Sequence, residues 1–165
     1  LEAVRRWFRD AELARLTRYS LRPMSDEDID RVFHTRLMSP AHVGYAITAR
    51  DSDRLIGSTT FSNLDADNGS TLFHISIGEP DAWGSGYGTE ATELMLWLAF
   101  ARIGLHRVAL SVFAFNERAI RSYEKAGFVV EGRHREAIAR DGGRWDELTM
   151  GILAAEWRAR HSDEE

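Results

Sequence analysis

A glycine-rich turn in the middle of the chain has the residue types that bind phosphate. Three glycines alternate in Trp83-Gly84-Ser85-Gly86-Tyr87-Gly88-Thr89, which follows the strand-like residues 75–78 after an interval of four residues (79–82) and directly precedes a long helical pattern. Such a turn lets backbone N–H groups converge, and the N-terminus of a helix adds partial positive charge. The pattern therefore predicts a phosphate or pyrophosphate site, rather than a turn that is only flexible.

Three kinds of phosphate-binding turn compete at this position. A P-loop needs Gly-Lys followed by Ser or Thr, and residues 83–89 contain no lysine. A dinucleotide-binding turn needs G-x-G-x-x-G, but Gly88 comes one position too early, and residues 108–115 lack the acidic residue that binds the ribose. The third kind is the pyrophosphate loop of an enzyme that uses an acyl-coenzyme A.

A second motif supports the third kind of turn. Residues 116–128 read Asn-Glu-Arg-Ala-Ile-Arg-Ser-Tyr-Glu-Lys-Ala-Gly-Phe and resemble the segment N-x-x-A-I-x-x-Y-x-K-x-G-F. With the glycine loop, this segment resembles the GNAT superfamily of N-acetyltransferases over roughly residues 43–157. Residues 83–151 resemble the branch that contains ribosomal-protein-alanine and polyamine N-acetyltransferases.

The resemblance implies acetyl-coenzyme A as the cosubstrate and a wedge between two splayed strands as its site. It implies that Ser76, Ile77 and Gly78 offer backbone groups to the pantetheine. Asn116 would hydrogen-bond the coenzyme arm, and Tyr123 would contact the coenzyme as the general acid that protonates the departing thiolate. The loop amides would hold the pyrophosphate, at Gly84, Ser85, Gly86, Tyr87, Gly88 and Thr89.

The chemistry explains why such residues are needed. When an amine attacks a thioester, the developing oxyanion needs an N–H donor and the leaving sulfur needs a proton donor. A tyrosine two turns into a helix can reach that sulfur, although Tyr123 could also be a packing aromatic and Asn116 a plain helix cap. The chain contains no cysteine that could carry the acetyl group, so direct transfer in a ternary complex is expected.

Three positions depart from the family pattern. Trp83 stands where Gln or Arg is common, Ser85 stands where a basic residue is common, and Ser111 stands where some members have a glutamate base. Another group must therefore accept the proton of the attacking amine, directly or through water. Glu79 is the favoured candidate for this catalytic role because it ends the splayed strand. The other candidates are Asp81, His74, His134 and Glu136.

The acceptor is expected to be an amine: a protein N-terminus, a polyamine or another small amine. The alternative is a sensor or regulatory module that binds acyl-coenzyme A without turning it over, which the serines at positions 85 and 111 would explain. A net charge of −5 argues against nucleic acid as a partner. The six histidines lack metal-ligand spacing, so no metal is expected. A homodimer is possible.

The elements that must position these residues follow from periodicity. Helices are predicted at 2–18, 25–37, 89–103, 116–127 and 155–160, and strands at 43–49, 55–61, 70–78, 106–115, 128–139 and 144–153. This order predicts an α/β fold, a GNAT-like mixed and mostly antiparallel sheet that splays at a central parallel strand pair and is flanked by helices. Residues 1–161 would form one domain before a polar tail at 162–165, and the first strand of the family would be absent from the chain.

The place of the protein in the cell is predicted from three absences. The sequence has no cysteine, no apolar run of about 20 residues such as a membrane-spanning helix needs, and no leader pattern at its start. These features predict a cytoplasmic protein without a membrane partner.

Overall fold

A six-stranded mixed sheet forms the centre of the molecule. The structure, a computed structural model, describes residues 1–162. The strands are β1 (Val43–Ala49), β2 (Arg54–Asp65), β3 (Ser70–Ile77), β4 (Arg107–Phe113), β5 (Val129–Arg140) and β6 (Gly143–Leu153). They lie in the order β1-β2-β3-β4-β6-β5. Every neighbouring pair is antiparallel except β3 and β4, so the fold class predicted from the sequence is confirmed.

Helices cover both faces of the sheet. They are α1 (Glu2–Arg9), α2 (Ala11–Thr17), α3 (Asp26–Val32), α4 (Tyr87–Trp97), α5 (Glu117–Lys125) and α6 (Ala154–His161). Helices α3 and α4 each continue into a π-helical segment, at Phe33–Leu37 and Leu98–Ile103. None of the helices in residues 1–162 combines the length and the apolar character that crossing a bilayer requires.

The prediction of one helix over residues 2–18 is wrong, because the structure breaks it at Asp10. This residue has an extended backbone (φ −66°, ψ 121°), and its carboxylate accepts a hydrogen bond from Leu13 N at 2.7 Å. An aspartate that caps a helix satisfies an N–H group that has no partner inside the helix. The result is a corner between α1 and α2.

The remaining elements agree with the sequence predictions to within a few residues, except β2, which extends to Asp65. Ser25 caps α3 by accepting a hydrogen bond from Asp28 N at 3.1 Å, as its position three residues before Asp28 predicts. The expected tail falls largely outside the described residues, because only Ser162 of residues 162–165 is described.

The two faces of β4 meet different layers. Leu110 and Val112 belong to the main core, together with Met95 of α4 and Tyr123 of α5. Because side chains alternate along a strand, Ser111 and its odd-numbered neighbours point to the opposite face, where α2 contacts β4. A second, smaller core holds these N-terminal helices together through Val4, Trp7, Leu13 and Ile29.

Candidate active site

The parallel strands β3 and β4 separate soon after they meet. Only residues 70–72 of β3 pair with residues 107–109 of β4. On their outer sides, β3 stays paired with β2 as far as Ile77, and β4 stays paired with β6 as far as Phe113. The gap between residues 73–77 and 110–113, here called the wedge, therefore has two regular walls whose inner backbone groups have no strand partner. An extended polar chain can bind there.

The glycine turn lies at the mouth of the wedge. Gly84 and Gly86 have positive φ angles of 74° and 89°, and Gly86 is the N-cap of α4. Apart from the adjacent residues, no atom of residues 1–162 lies within 4 Å of the place where a Cβ would stand on either glycine, so the turn is open to solvent. The first N–H groups of α4 have no partner inside the helix and point into this space. The turn has the geometry of an anion site.

The end of the turn packs on α5. Thr89 Oγ1 lies 2.8 Å from Ser122 Oγ, and a Cβ on Gly88 would lie 3.7 Å from the same oxygen. Tyr87 packs into a small apolar cluster that includes Ile77. The side chains of Tyr87 and Thr89 therefore support the turn, while their backbone N–H groups remain at the helix start. Ser85, at the tip of the turn, is exposed.

Trp83 and Arg118 bridge the mouth of the wedge. The Trp83 indole N–H donates to Ile77 O at 2.7 Å, which occupies one carbonyl that the sequence analysis assigned to the pantetheine. The Arg118 guanidinium lies over the indole ring, 4.1 Å from its centroid. No side chain of residues 1–162 forms an ion pair with Arg118, and partial burial lowers its pKa. Arg118 thus places an unpaired positive charge beside the turn, where Ser85 provides none.

Sequence reasoning missed Arg118, although a signal was present. Arg118 belongs to the second motif, two residues after Asn116. The basic residue missing at Ser85 was a reason to look for a cation elsewhere, but only the folded chain shows which one is near.

The β3 wall of the wedge contains the three residues predicted to contact the pantetheine. Ser76 and Ile77 pair with Ser58 and Gly57 of β2, and Gly78 N donates to Ile56 O at 2.8 Å, so this wall of the wedge is firmly held.

Tyr123 lies above the place where the two strands separate. Its ring is 91% buried and packs edge-on against Phe73 and Phe128, with centroid distances of 6.4 and 5.9 Å. No group in residues 1–162 hydrogen-bonds its hydroxyl, and burial raises its pKa to about 12. The phenol is therefore a neutral O–H group at the start of the wedge.

Asn116 caps α5, and it also joins α5 to α2. Its Oδ1 accepts from Ala119 N at 3.3 Å, and its Nδ2 donates to Leu16 O at 3.4 Å. The side chain is buried, so these contacts hold the first turn of α5 beside the end of β4. The prediction that Asn116 also contacts the coenzyme stays a prediction.

Glu79 lies at the end of the β3 wall, and α1 holds its carboxylate. Oε1 accepts hydrogen bonds from Trp7 Nε1 at 2.7 Å and from Arg6. Partial burial raises the pKa of Glu79, but these two hydrogen bonds and the charge of Arg6 outweigh it and lower the pKa overall. The carboxylate is therefore a weak base that binds α1 to the strand end. It lines an open cleft of about 790 Å³ beside Gly78.

The other base candidates lie in several places. Asp81 forms an ion pair with Arg54, which lowers the pKa of Asp81. Burial lowers the pKa of His74, whose Nε2 lies 2.8 Å from Ser62 Oγ. Glu136 is exposed on β5. Residues 1–162 contain no group of three His, Cys, Asp or Glu side chains placed to hold a metal ion.

A buried carboxylate that sequence reasoning missed lies beside the wedge. Glu147 of β6 pairs with Phe113 of β4 and is 8% exposed. It accepts a hydrogen bond from the Tyr19 hydroxyl, and its Oε2 lies 3.6 Å from His134 Nδ1. Only His134 of this group was a candidate from the sequence. No motif marks Glu147, because its surroundings come from distant parts of the chain.

Comparison with known proteins agrees with this geometry. A family model described as "Acetyltransferase (GNAT) domain" matches residues 1–129. The probable N-acetyltransferase YjcK of Bacillus subtilis is 30% identical over 121 residues, which cover 73% of this chain and 67% of the relative. The spermidine N(1)-acetyltransferase of Vibrio cholerae is 25% identical over 136 residues, covering 82% and 78%.

The prophage-derived uncharacterized N-acetyltransferase YokL of B. subtilis is 27% identical over 115 residues, which cover 70% of this chain. The chain spans just under two thirds of the length of the first curated relatives it matches. The crystal structure of the V. cholerae spermidine N-acetyltransferase in complex with CoA and spermine superimposes with a TM-score of 0.79 at 22% identity, covering 92% of this chain and 88% of that one. The sheet that splays at β3 and β4, the glycine turn and the match over residues 1–129 lead to one conclusion: the chain belongs to the GNAT acetyltransferase family.

Proposed function

We propose that this protein transfers the acetyl group of acetyl-coenzyme A directly to a primary amine, in a complex that holds both substrates. The observation that carries the proposal is the wedge, which has an anion site at its mouth and the buried Tyr123 hydroxyl at its start. A module that only binds acyl-coenzyme A would need the wedge and the anion site, but it would not need an unpartnered phenol at the start of the wedge.

The residues present fit the coenzyme. The turn at Gly84 and Gly86 offers N–H groups to a pyrophosphate, and Arg118 adds a cation that guanidinium–phosphate recognition favours. The unpaired backbone groups along β3 and β4 suit the amide-containing pantetheine arm. Bound there, acetyl-coenzyme A supplies the activated acetyl thioester.

The proposed reaction balances without a covalent intermediate on the protein. The neutral amine nitrogen attacks the thioester carbonyl carbon, a C–N bond forms and the C–S bond breaks. Tyr123 O–H donates toward the departing sulfur, which leaves as a thiol. The proton lost by the amine passes to water or to a carboxylate, and water returns a proton to the Tyr123 oxygen, so the net products are the N-acetylated amine and the coenzyme A thiol. Glu79 stays a prediction for that carboxylate, and its lowered pKa makes water the better candidate.

We infer that the acceptor is a polyamine. Relatives named spermidine N(1)-acetyltransferase support this inference, as do the net charge of −5 and the buried Glu147 beside the wedge. A protein N-terminus remains the second candidate among amines.

We also propose that residues 1–161 form one domain and that this domain can form a homodimer. The domain would work in the cytoplasm, since a chain without cysteine suits a reducing compartment.

The test is release of coenzyme A thiol from acetyl-coenzyme A over a panel of spermidine, an N-terminal peptide and an aminoglycoside. Because the chain contains no cysteine, a thiol reagent detects only the product. Turnover with spermidine alone would support a polyamine acceptor. Turnover with the peptide alone would keep the enzyme and replace the acceptor. Tight coenzyme binding without turnover on any amine would favour the non-catalytic module.

A further inference from the structure

We propose that Glu147, with Tyr19 and His134 around it, binds a second positive charge of the acceptor. The acceptor would then be a diamine or polyamine, one of whose amines enters the wedge while another contacts Glu147. This inference rests on the proposed acetyl transfer and names the group that selects the acceptor.

The position of Glu147 suits this role. Glu147 lies opposite Phe113, at the end of β4 farthest from the residues that pair with β3, and on the next strand of the sheet. Side-chain alternation places it on the same face as Ser111, which is exposed and faces away from the Tyr123 side. Neighbouring strands are about 4.8 Å apart, so a spacer of three or four carbons can reach from the wedge to β6.

The charge of Glu147 lacks the compensation that neighbouring carboxylates have. On the same strand, Asp146 pairs with Arg133, and on β5, Glu131 pairs with Arg107. Among the described residues, the one basic group within 4 Å of Glu147 is His134, at 3.6 Å, which is charged only when it is protonated. A mostly buried carboxylate is costly unless a cation approaches it.

The buried Arg140 does not neutralise the charge of Glu147. Arg140 of β5 stacks over Phe113 at 5.6 Å, but its guanidinium donates to backbone carbonyls, including Arg15 O at 3.1 Å and Arg18 O. It forms no ion pair with Glu147. Arg140 instead fixes the segment after α2, which carries Tyr19.

Tyr19 and His134 form the rim of this site. The Tyr19 ring packs edge-on against Phe113 at 5.2 Å, and its hydroxyl donates to Glu147 Oε1. As a residue Tyr19 is 67% exposed, and the His134 side chain is 63% exposed, so both lie at the solvent side of the carboxylate. Oε1 is thus oriented by Tyr19, while Oε2 can accept from an ammonium.

The experiment compares acceptors with one and several charges. The probes are spermidine and n-butylamine, and the variants are Glu147→Gln, which removes the charge but can still accept from Tyr19, and Tyr19→Phe, which removes that donor but keeps the charge. Glu124→Gln, an exposed carboxylate on α5, is the matched control for charge. We expect Glu147→Gln to raise the KM for spermidine about ten- to a hundredfold, with the KM for n-butylamine changed less than about twofold.

Calorimetric titration of spermidine into each protein loaded with coenzyme A gives a readout that does not depend on turnover. The spermidine Kd should weaken most in Glu147→Gln, which loses the charge, less in Tyr19→Phe, which loses only the group that orients Oε1, and stay near wild type in Glu124→Gln. Equal losses in Glu147→Gln and Tyr19→Phe would show a structural role and overturn the proposal, as would wild-type protein that does not bind spermidine. If Glu147→Gln weakens spermidine binding but the wild-type protein shows no turnover, the proposed acetyl transfer is refuted and the Glu147 binding site is retained. If the wild-type protein turns over spermidine and Glu147→Gln changes neither turnover nor binding, the acetyl transfer is retained and the Glu147 site is refuted.

Discussion

Replacing Tyr123 with phenylalanine separates the proposed chemistry from binding. The ring contacts with Phe73 and Phe128 persist in the variant, and no hydrogen-bond partner is left unsatisfied, because the hydroxyl has none within residues 1–162. The free energy of unfolding should therefore change by less than about 1 kcal/mol at neutral pH. A variant that folds this well reports on the hydroxyl alone.

The expected loss of rate follows from the environment of the phenol. General acid catalysis contributes about 10²- to 10⁴-fold, and efficiency falls when the acid is much weaker than the group it protonates. Burial raises the pKa of Tyr123 to about 12, above the usual value of about 8.5 for a thiol. Burial also raises the pKa of a thiol, which makes the difference between the pKa of Tyr123 and that of the thiol smaller but does not remove it. We therefore expect kcat to fall about 10²-fold, or about 2.7 kcal/mol.

The pH dependence has a definite sign. Because the folded pKa lies near 12 and the unfolded value near 10, the folded chain keeps the proton that the unfolded chain releases. The stability contribution is complete below about pH 10 and is lost as the pH rises towards 12. Thermal melts at pH 8 and pH 11 should show a smaller alkaline loss in Tyr123→Phe than in wild type.

The assay is thiol release at saturating acetyl-coenzyme A, with the coenzyme Kd measured separately by calorimetry. Tyr45→Phe is the matched control, because Tyr45 is exposed on the edge strand β1. An unchanged kcat in Tyr123→Phe would refute the role of the phenol as the acid. A coenzyme Kd that weakens as much as kcat falls would show that the hydroxyl serves binding instead.

Three further predictions concern the walls and mouth of the wedge. Arg118→Gln should weaken the binding of coenzyme A about tenfold at low salt and less at high salt, since it removes an unpaired cation. Calorimetry at two salt concentrations measures this, and equal affinities of the variant and the wild-type protein at low salt would contradict it. Glu79→Gln should lower the Tm by a few degrees while kcat changes less than about threefold, because the loss is that of a hydrogen-bonded charge holding α1; a large drop in kcat at unchanged Tm would make Glu79 the base. Gly86→Ala should weaken coenzyme binding, and scanning calorimetry should show about 1 kcal/mol of lost stability from strain at φ 89°; wild-type values in both measurements would argue against a fixed turn.

The elements and the anion turn could be predicted because their signals are local. Alternating glycines before a helical pattern mark the turn at Gly84 and Gly86, and a polar residue before a helix marks the caps at Ser25 and Asn116. These features depend on a few neighbouring residues, so a single sequence carries them. Asp10 carried the same kind of signal, but the apolar residues on both sides of it favoured one longer helix.

The side-chain partners could not be predicted, because they are set by the packing of distant elements. Arg118 reaches Trp83 only because α5 and the turn close the same wedge, and Tyr19 reaches Glu147 only because the segment after α2 crosses the end of β4. The position of Glu79 at the strand end was predicted correctly, but its partners were not. Its hydrogen bonds to α1 were invisible in the sequence, and they decide its pKa.

The two N-terminal helices explain how a wedge whose walls do not bond to each other keeps its shape. Helix α1 holds the β3 wall: the Trp7 ring fills the space where a Cβ on Gly78 would stand, and its indole donates to Glu79. Helix α2 holds the β4 wall, because its Leu16 carbonyl accepts from Asn116 at the start of α5.

The corner at Asp10 joins these two helices. A straight helix over residues 2–18 could not follow both walls, since the walls diverge from residue 72 onward. The break that the sequence analysis missed is therefore part of the architecture of the candidate site: it lets one short segment brace both the β3 wall and the helix α5 that carries Tyr123.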